Sequence, residues 1–404
     1  MNKRIPEPDN IPLSEILPDE PLLLMGAGPV PIPNAVAKAN GVVINHLGET
    51  MNRVIERVKI MGRYVFQTTS DKIFGVGGPS SAAMEMAITN LLWPGRRVLV
   101  LKNGTFSARF GEMADGIGAD VDVFEPEGIQ PVTAEMVAAC MKDKAYDMVT
   151  MVQGETSCGV VNKEIPEIAK IVKSHQALFV VDAVCTLTTM PLYMDEWDID
   201  VVVTGGQKGL SSIPGVSLIA FSENAWTVIE QRETPCPHWC IDARRAINFW
   251  RDHKYHYTAP VPGILALHEA LRLICEETLE ERFIRHQMSS LALQAGIEAM
   301  GLKLFVPESC RLNSVVAIEV PEGVDARAVI DYMVKTFHVE ISGAFGLPIV
   351  RIGQMGEQCR SHNLFRVMYA MGVSFRQCGV DVNLSEGMAT LERNLAKDRD
   401  HFVR

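Results

Sequence analysis

The feature that most constrains the fold is a series of short apolar runs, each followed by a segment of helical spacing. "DKIFGVGG", "RRVLVLKNG", "DVDVFEP", "YDMVTMVQGET", "ALFVVDAVCTL", "IDVVVTGGQK" and "GVSLIAFS" read as strands. Between them, "PSSAAMEMAITNLL", "FSARFGEMADGIG", "TAEMVAACMKD" and "EIPEIAKIVKSH" place apolar residues three and four apart, as helices do. Strands that are Val/Ile/Leu over nearly their whole length have no wet face. Alternation with helices then predicts an α/β fold, a mostly parallel seven-stranded sheet between two helical layers. Ahead of it, "ETMNRVIERVKIMGRYVFQT" reads as a helix, and the first twenty residues as an extended, proline-rich arm. A long helical pattern from "PVPGILALHEAL" to "ALQAGIEAM" must bend or break, and an α+β unit follows. The expected organisation is an arm over 1–20, a large domain over 21–280 and a small C-terminal domain over 281–404.

Composition narrows the function. Acidic residues outnumber basic ones, 49 to 38, for a net charge of −11. Such a balance argues against nucleic acid, whose phosphates need a basic face. No apolar run reaches the roughly 18 residues of a membrane span, and the charged start lacks a signal peptide's apolar core. Nine cysteines are scattered without metal-ligand spacing. They read as reduced thiols of a cytoplasmic protein, and no metal site is expected.

In an open parallel sheet, ligands bind beyond the carboxyl ends of the strands. In "GVGGPSSAAMEM", Gly78 permits a tight turn, and Ser80 and Ser81 stand where a helix begins. That is either an anion site or a plain helix start. Asp182 ends "ALFVVD" and is either a site carboxylate or a loop cap. "GETSCG", with Glu155, Thr156 and Ser157, reads by itself as a tight polar turn. In "TGGQKG", Gln207 and Lys208 follow a strand and two glycines. An anion cradle, an acid and a lysine at strand ends together fit pyridoxal phosphate. That cofactor needs a phosphate site, a carboxylate at its ring nitrogen and a lysine on its aldehyde.

With these motifs in order, the chain resembles the class V aminotransferases of fold type I. The resemblance is to the alanine–glyoxylate, serine–glyoxylate and ureidoglycine–glyoxylate group. It runs from "GAGPVPIP" through "PGRRVLVLKNGTF", "GETSCGVV", "VVDAVCTLTTMPLYMDEWDIDVVVTGGQKGLSS" and "INFWRDHKYHYTAPVPG" to "IVRIGQMG". It implies that Lys208 is the Schiff-base lysine and Asp182 the partner of the ring nitrogen. Phe106 would stack on the ring, where a tryptophan is usual, and Ser157 would lie near the ring hydroxyl. Gln207 and the turn Gly78, Ser80 and Ser81 would hold the phosphate, where the family often has Ser-Gly-His. Thr258 would reach a phosphate across a homodimer. Arg351 would take the substrate carboxylate through two parallel hydrogen bonds, with Gly28 close by.

The implied activity moves an amino group from a small amino acid or amine to a 2-oxo acid, glyoxylate or pyruvate, by ping-pong kinetics. Trp239 and Cys240, with Asn45, His46 and Glu49, mark the segments that would tune the substrate. Alternatives are a pyridoxamine–pyruvate type of aminotransferase, for which an extra basic residue before "RIG" is missing, and a lyase or desulfurase-like enzyme. A desulfurase needs a mobile cysteine, and Cys359 follows the arginine motif rather than preceding it. A nicotinamide oxidoreductase would need GxGxxG after the first strand, and the glycines here do not supply it. A binding protein on the same fold would have no use for the lysine, aspartate and arginine together.

Overall fold

The apolar runs form strands and the intervening segments helices, as their periodicities require. The computed structural model describes residues 5–344 and 346–396. Seven strands make one sheet: β1 (Ile73–Gly78), β2 (Arg97–Leu101), β3 (Asp120–Phe124), β4 (Met148–Val152), β5 (Leu178–Asp182), β6 (Val201–Gly205) and β7 (Gly215–Phe221). Their order is β1-β7-β6-β5-β4-β2-β3. Only β7 runs against its neighbours, so the other six strands share one direction. Every residue of β4, β5 and β6 is buried, as expected of strands covered on both faces.

Helices α1 (Glu49–Phe66), α2 (Ser80–Leu91) and α3 (Thr105–Gly116) join the cover of this sheet. Their buried side chains, among them Ile55, Ile88 and Phe110, share one apolar core with Val98, Phe179 and Val202. The long downstream pattern does break. Helix α4 (Val261–Glu277) ends and α5 (Leu279–Ala299) begins around Thr278, whose φ of 72° no helix accommodates. A second core gathers Leu293 and Ile297 of α5 with β8 (Val315–Glu319), β10 (Ile349–Gly353) and the helices Ala326–Phe337 and Ser361–Gln377, while the half-buried β9 (Ser342–Gly343) pairs with β10. Near the other end of the chain, Met25 packs into this second core, and Leu23–Leu24 pair in parallel with Val339–Glu340. Residues 5–20 are exposed throughout and contain one helical turn, Leu13–Ile16, where the sequence predicts only extended chain.

Asp200 fastens the amino end of the sheet. It is buried just before β6 and accepts from the Phe179 amide at 2.8 Å, the Ser222 hydroxyl at 2.9 Å and Lys173 at 2.7 Å. One carboxylate thus joins the start of β5, the start of β6 and the exit of β7. Asp200→Ala leaves these donors unpaired and is expected to cost about 3 kcal/mol, measured by urea unfolding. An unchanged midpoint would refute this account of the sheet edge.

Candidate active site

Because six strands point one way, their carboxyl ends meet at one edge. There a cavity of about 200 Å³ is lined by Ser80, Ser81, Phe106, Thr156, Asp182 and Lys208, with Arg109, Gln207 and Cys185 also on its wall. The structure therefore brings together six of the site residues that the sequence singles out: Ser80, Ser81, Phe106, Asp182, Gln207 and Lys208.

Ser80 and Ser81 open α2, a 12-residue helix whose first amide groups lack intrahelical acceptors. Pro79 precedes them in extended conformation, and Gly78, at φ 142°, turns the chain out of β1. Ser80 Oγ accepts from Gln207 Nε2 at 3.0 Å, and Ser81 Oγ accepts from Arg109 Nη1 at 3.2 Å. Gln207 Oε1 is buried and has no hydrogen-bond partner among the described residues. Turning this amide would let its oxygen accept from Ser80 and aim its NH2 at an anion. Gly205 keeps β6 close to α2, since a Cβ there would collide with Ser80 Oγ.

Asp182 ends β5 at the cavity wall. Its Oδ1 accepts from the Val184 amide at 2.7 Å, and among the described residues no cationic side chain forms an ion pair with it. Burial pushes its carboxyl up to about 7, against which the Val184 hydrogen bond pulls only in part. Burial likewise lowers the Lys208 amine below the usual lysine range. Lys208 Nζ donates to the Ala27 carbonyl. Gly28, at φ 98°, passes so near that a Cβ would lie 2.5 Å from Nζ.

Glu155 organises the aromatic side of the cavity. Fully buried, it accepts from the Ser107 amide at 2.9 Å, the Phe106 amide at 3.2 Å and the Ser157 hydroxyl at 2.5 Å. A carboxylate thereby caps the start of α3 and fixes Phe106. The Arg109 guanidinium lies over the Phe106 ring, 4.7 Å from its centroid.

Ser157 is where the expectation and the geometry part. Its hydroxyl turns back to Glu155 and the Thr105 amide, and it does not line the cavity; Thr156 does. Neighbouring residues of a tight turn face different ways, and composition does not say which faces the ligand. Arg351, on β10, is buried behind Thr156. It donates to the Thr156 carbonyl at 2.6 Å and to the Gly343 carbonyl at 2.9 Å, outside the cavity wall. Thr258 is exposed in the loop before α4 and does not line this cavity. Arg109 and Thr156 went unnoticed as ligand residues in the sequence. The signal for Arg109 was its place one helical turn after Phe106.

The family model of the aminotransferases of class V matches residues 34–375. The chain belongs to the class V aminotransferases. It is 33% identical to the alanine–glyoxylate aminotransferase of Oryctolagus cuniculus, over 88% of this chain and 93% of that protein. The solved ureidoglycine–glyoxylate aminotransferase of Bacillus subtilis superposes with a TM-score of 0.91 at 30% identity, covering 94% of this chain and 99% of that one. The pyridoxamine–pyruvate aminotransferase of Mesorhizobium loti gives 0.89 at 25% identity, covering 95% and 99%. The chain is thus a transaminase with the fold type I architecture. The family implies pyridoxal phosphate, and the cavity fits it. A buried carboxylate without an ion-pair partner among the described residues suits a protonated ring nitrogen, and the uncapped start of α2 suits a phosphate. Among the described residues no cluster could hold a metal ion, and no helix is long and apolar enough to cross a membrane.

The Asp182 shift makes a stability prediction for the cofactor-free protein. The folded carboxyl titrates at about 7 and the unfolded one near 3.8, so folding favours the protonated form. This contribution is complete below the unfolded value and is lost as pH rises through about 7. Relative to Asp182→Asn, the wild type should lose up to about 4 kcal/mol across that window. Urea melts of both proteins between about pH 5 and 8 measure most of it; a difference independent of pH would contradict the assignment.

Proposed function

We propose that the protein transfers an amino group from a small amino acid or amine to glyoxylate or pyruvate in a ping-pong cycle, with pyridoxal phosphate in the cavity. The observation that carries this reading is that Lys208, Asp182 and the start of α2 face one enclosed space. Similarity to glyoxylate-dependent relatives supports the acceptor. Bound there, the cofactor supplies an aldehyde carbon for the amine and a ring that withdraws electrons from the substrate Cα.

The chain's own residues do the rest. Desolvation raises the neutral fraction of the Lys208 amine, which can then take a proton from the substrate Cα and return it. The Ala27 carbonyl orients that amine, and Gly28 keeps the approach open. Of the residues that would hold the cofactor, Asp182 would keep a proton at the ring nitrogen, Phe106 would pack against the ring, and Thr156, rather than Ser157, would offer the nearby hydroxyl. Ser80, Ser81 and Gln207 bind the phosphate, with Gly78 setting the turn. Arg351, seated outside the cavity wall on the Thr156 and Gly343 carbonyls, would anchor the substrate carboxylate by turning its guanidinium toward the cavity. Thr258, exposed on its own chain, serves the cavity of a second copy in a homodimer. The setting we propose is the cytoplasm.

Among the described residues that line the cavity, no thiol is poised for the desulfurase-like alternative. Cys359 is buried against Arg285 and does not line the cavity. Cys185 lines it, but burial pushes that thiol up to about 12, out of the nucleophilic range.

Steady-state rates with alanine, serine and pyridoxamine as donors test the proposal. Double-reciprocal plots against glyoxylate or pyruvate should be parallel, and intersecting lines would rule out ping-pong transfer. Lys208→Ala should abolish the visible absorbance of the loaded protein and lower kcat by ~10²–10⁴-fold or more. Arg351→Lys loses the paired geometry and should raise the KM for the amino acid about tenfold, with a smaller change in kcat.

A further inference from the structure

Three residues on one face of α5, Arg282, Arg285 and His286, are all buried and reach two segments of the active centre. Arg282 Nη2 donates to the Gly209 carbonyl at 2.7 Å and lies 3.4 Å from Ser211 Oγ. Gly209 directly follows Lys208, and the Ser211 amide donates back to the Lys208 carbonyl at 2.9 Å. Thr188 Oγ1 donates to the same Gly209 carbonyl at 2.8 Å. Arg282 thus grips the turn that carries the lysine.

On the same face, Arg285 Nη1 donates to the Gly356 carbonyl at 2.8 Å, and the Gly356 amide donates to His286 Nε2 at 2.9 Å. Gly356 lies just past β10, the strand that carries Arg351. A Cβ on Gly356 would collide with Ser211 Oγ, so the two gripped segments touch. Glu277, the last residue of α4, accepts from Arg282 Nη1 at 2.8 Å and from Arg285 Nη2 at 2.9 Å. The paired arginines hold its carboxyl down at about 2 although burial opposes them.

Two buried guanidiniums on one carboxylate are an expensive way to fill a core, where apolar side chains of similar volume serve stability as well or better. Folding alone does not call for this cluster. What it does is tie the lysine turn and the arginine strand to one helix.

We propose that Arg282, oriented by Glu277, is a positioning residue that fixes the Lys208 turn against the segment following the Arg351 strand. The proposal rests on the roles given above to Lys208 and Arg351. Arg282 itself lines neither the cofactor cavity nor the substrate approach; it acts through the Gly209 carbonyl and Ser211.

The test is Arg282→Met in the full chain. Glu277 keeps Arg285 in contact and Arg360 at 4.0 Å, so removing Arg282 should leave the fold intact. The expected result has four parts. The thermal midpoint stays within a few degrees. The loaded enzyme loses kcat by ~10–100-fold, because a misplaced lysine sits off the reacting line. The KM for the amino donor moves less than about threefold, since Arg351 keeps its own contacts. In the cofactor-free protein, backbone hydrogen exchange over residues 208–212 accelerates about tenfold or more while α2 is unchanged. Arg282→Lys, which can hold Glu277 or Gly209 but not both, should fall between the two.

A folded Arg282→Met with normal kcat and normal exchange at 208–212 overturns the proposal. So does exchange that rises equally in α2 and the sheet, which would make Arg282 a general stabiliser. If the Met variant does not fold, Glu277→Gln carries the same readouts with smaller effects in the same direction. Failure of the underlying reading looks different: Lys208→Ala would retain transamination, whatever the exchange data for Arg282 show.

Discussion

Burial on both faces of the sheet is the constraint on which the rest depends. The central strands are apolar along most of their length, and the few polar side chains inside them, such as Thr150 and Thr204, are fully buried, so chemistry enters where the strands stop. Six strands that share a direction stop at the same edge, which draws Ser80, Glu155, Asp182 and Lys208 together from distant parts of the chain. Glu155 shows the economy of the arrangement. Its single carboxylate satisfies the start of α3 and holds Phe106 and the Ser157 turn, leaving Thr156 and Phe106 to face the cavity.

Desolvation dominates the electrostatics of this edge. It is the largest effect on both Asp182 and Lys208, and it drives the acid and the amine toward their neutral forms. Among the described residues, neither group forms an ion pair that would oppose it. A cavity in that condition favours a ligand that brings its own charges, a cationic ring edge at one end and an anionic group at the other. The buried Glu277 cluster is the opposite case. There the counter-ions lie in contact, hydrogen bonds outweigh burial, and the carboxylate stays charged.

Much of this was legible in the amino-acid sequence because strand ends are legible. Runs such as "ALFVVD" and "VVVTGG" announce both the strand and the residue that leaves it, and so mark Asp182 and Lys208. That the long helical pattern bends or breaks was visible in its length; that it breaks at Thr278 was not. Turn geometry was not visible. One residue separates Thr156 from Ser157, and backbone dihedrals rather than residue type decide which of them faces the cavity. The Arg282–Glu277–Arg285 contacts were also hidden, since charged residues at helical spacing look the same whether they face water or a buried carbonyl. Arg351 was found through its motif, but its seat behind Thr156 depends on how the two cores meet.

Gly28 ends up with almost no freedom to change. Its backbone occupies a conformation that side chains rarely adopt, and the space a Cβ would take is filled by the Lys208 amine. Every coding change at a glycine codon adds a Cβ, so both obstacles arise together and no single-base substitution avoids either. Selection on the lysine therefore extends to a position far away in the chain that has no side chain of its own. A lineage could release Gly28 only after giving up the amine beside it.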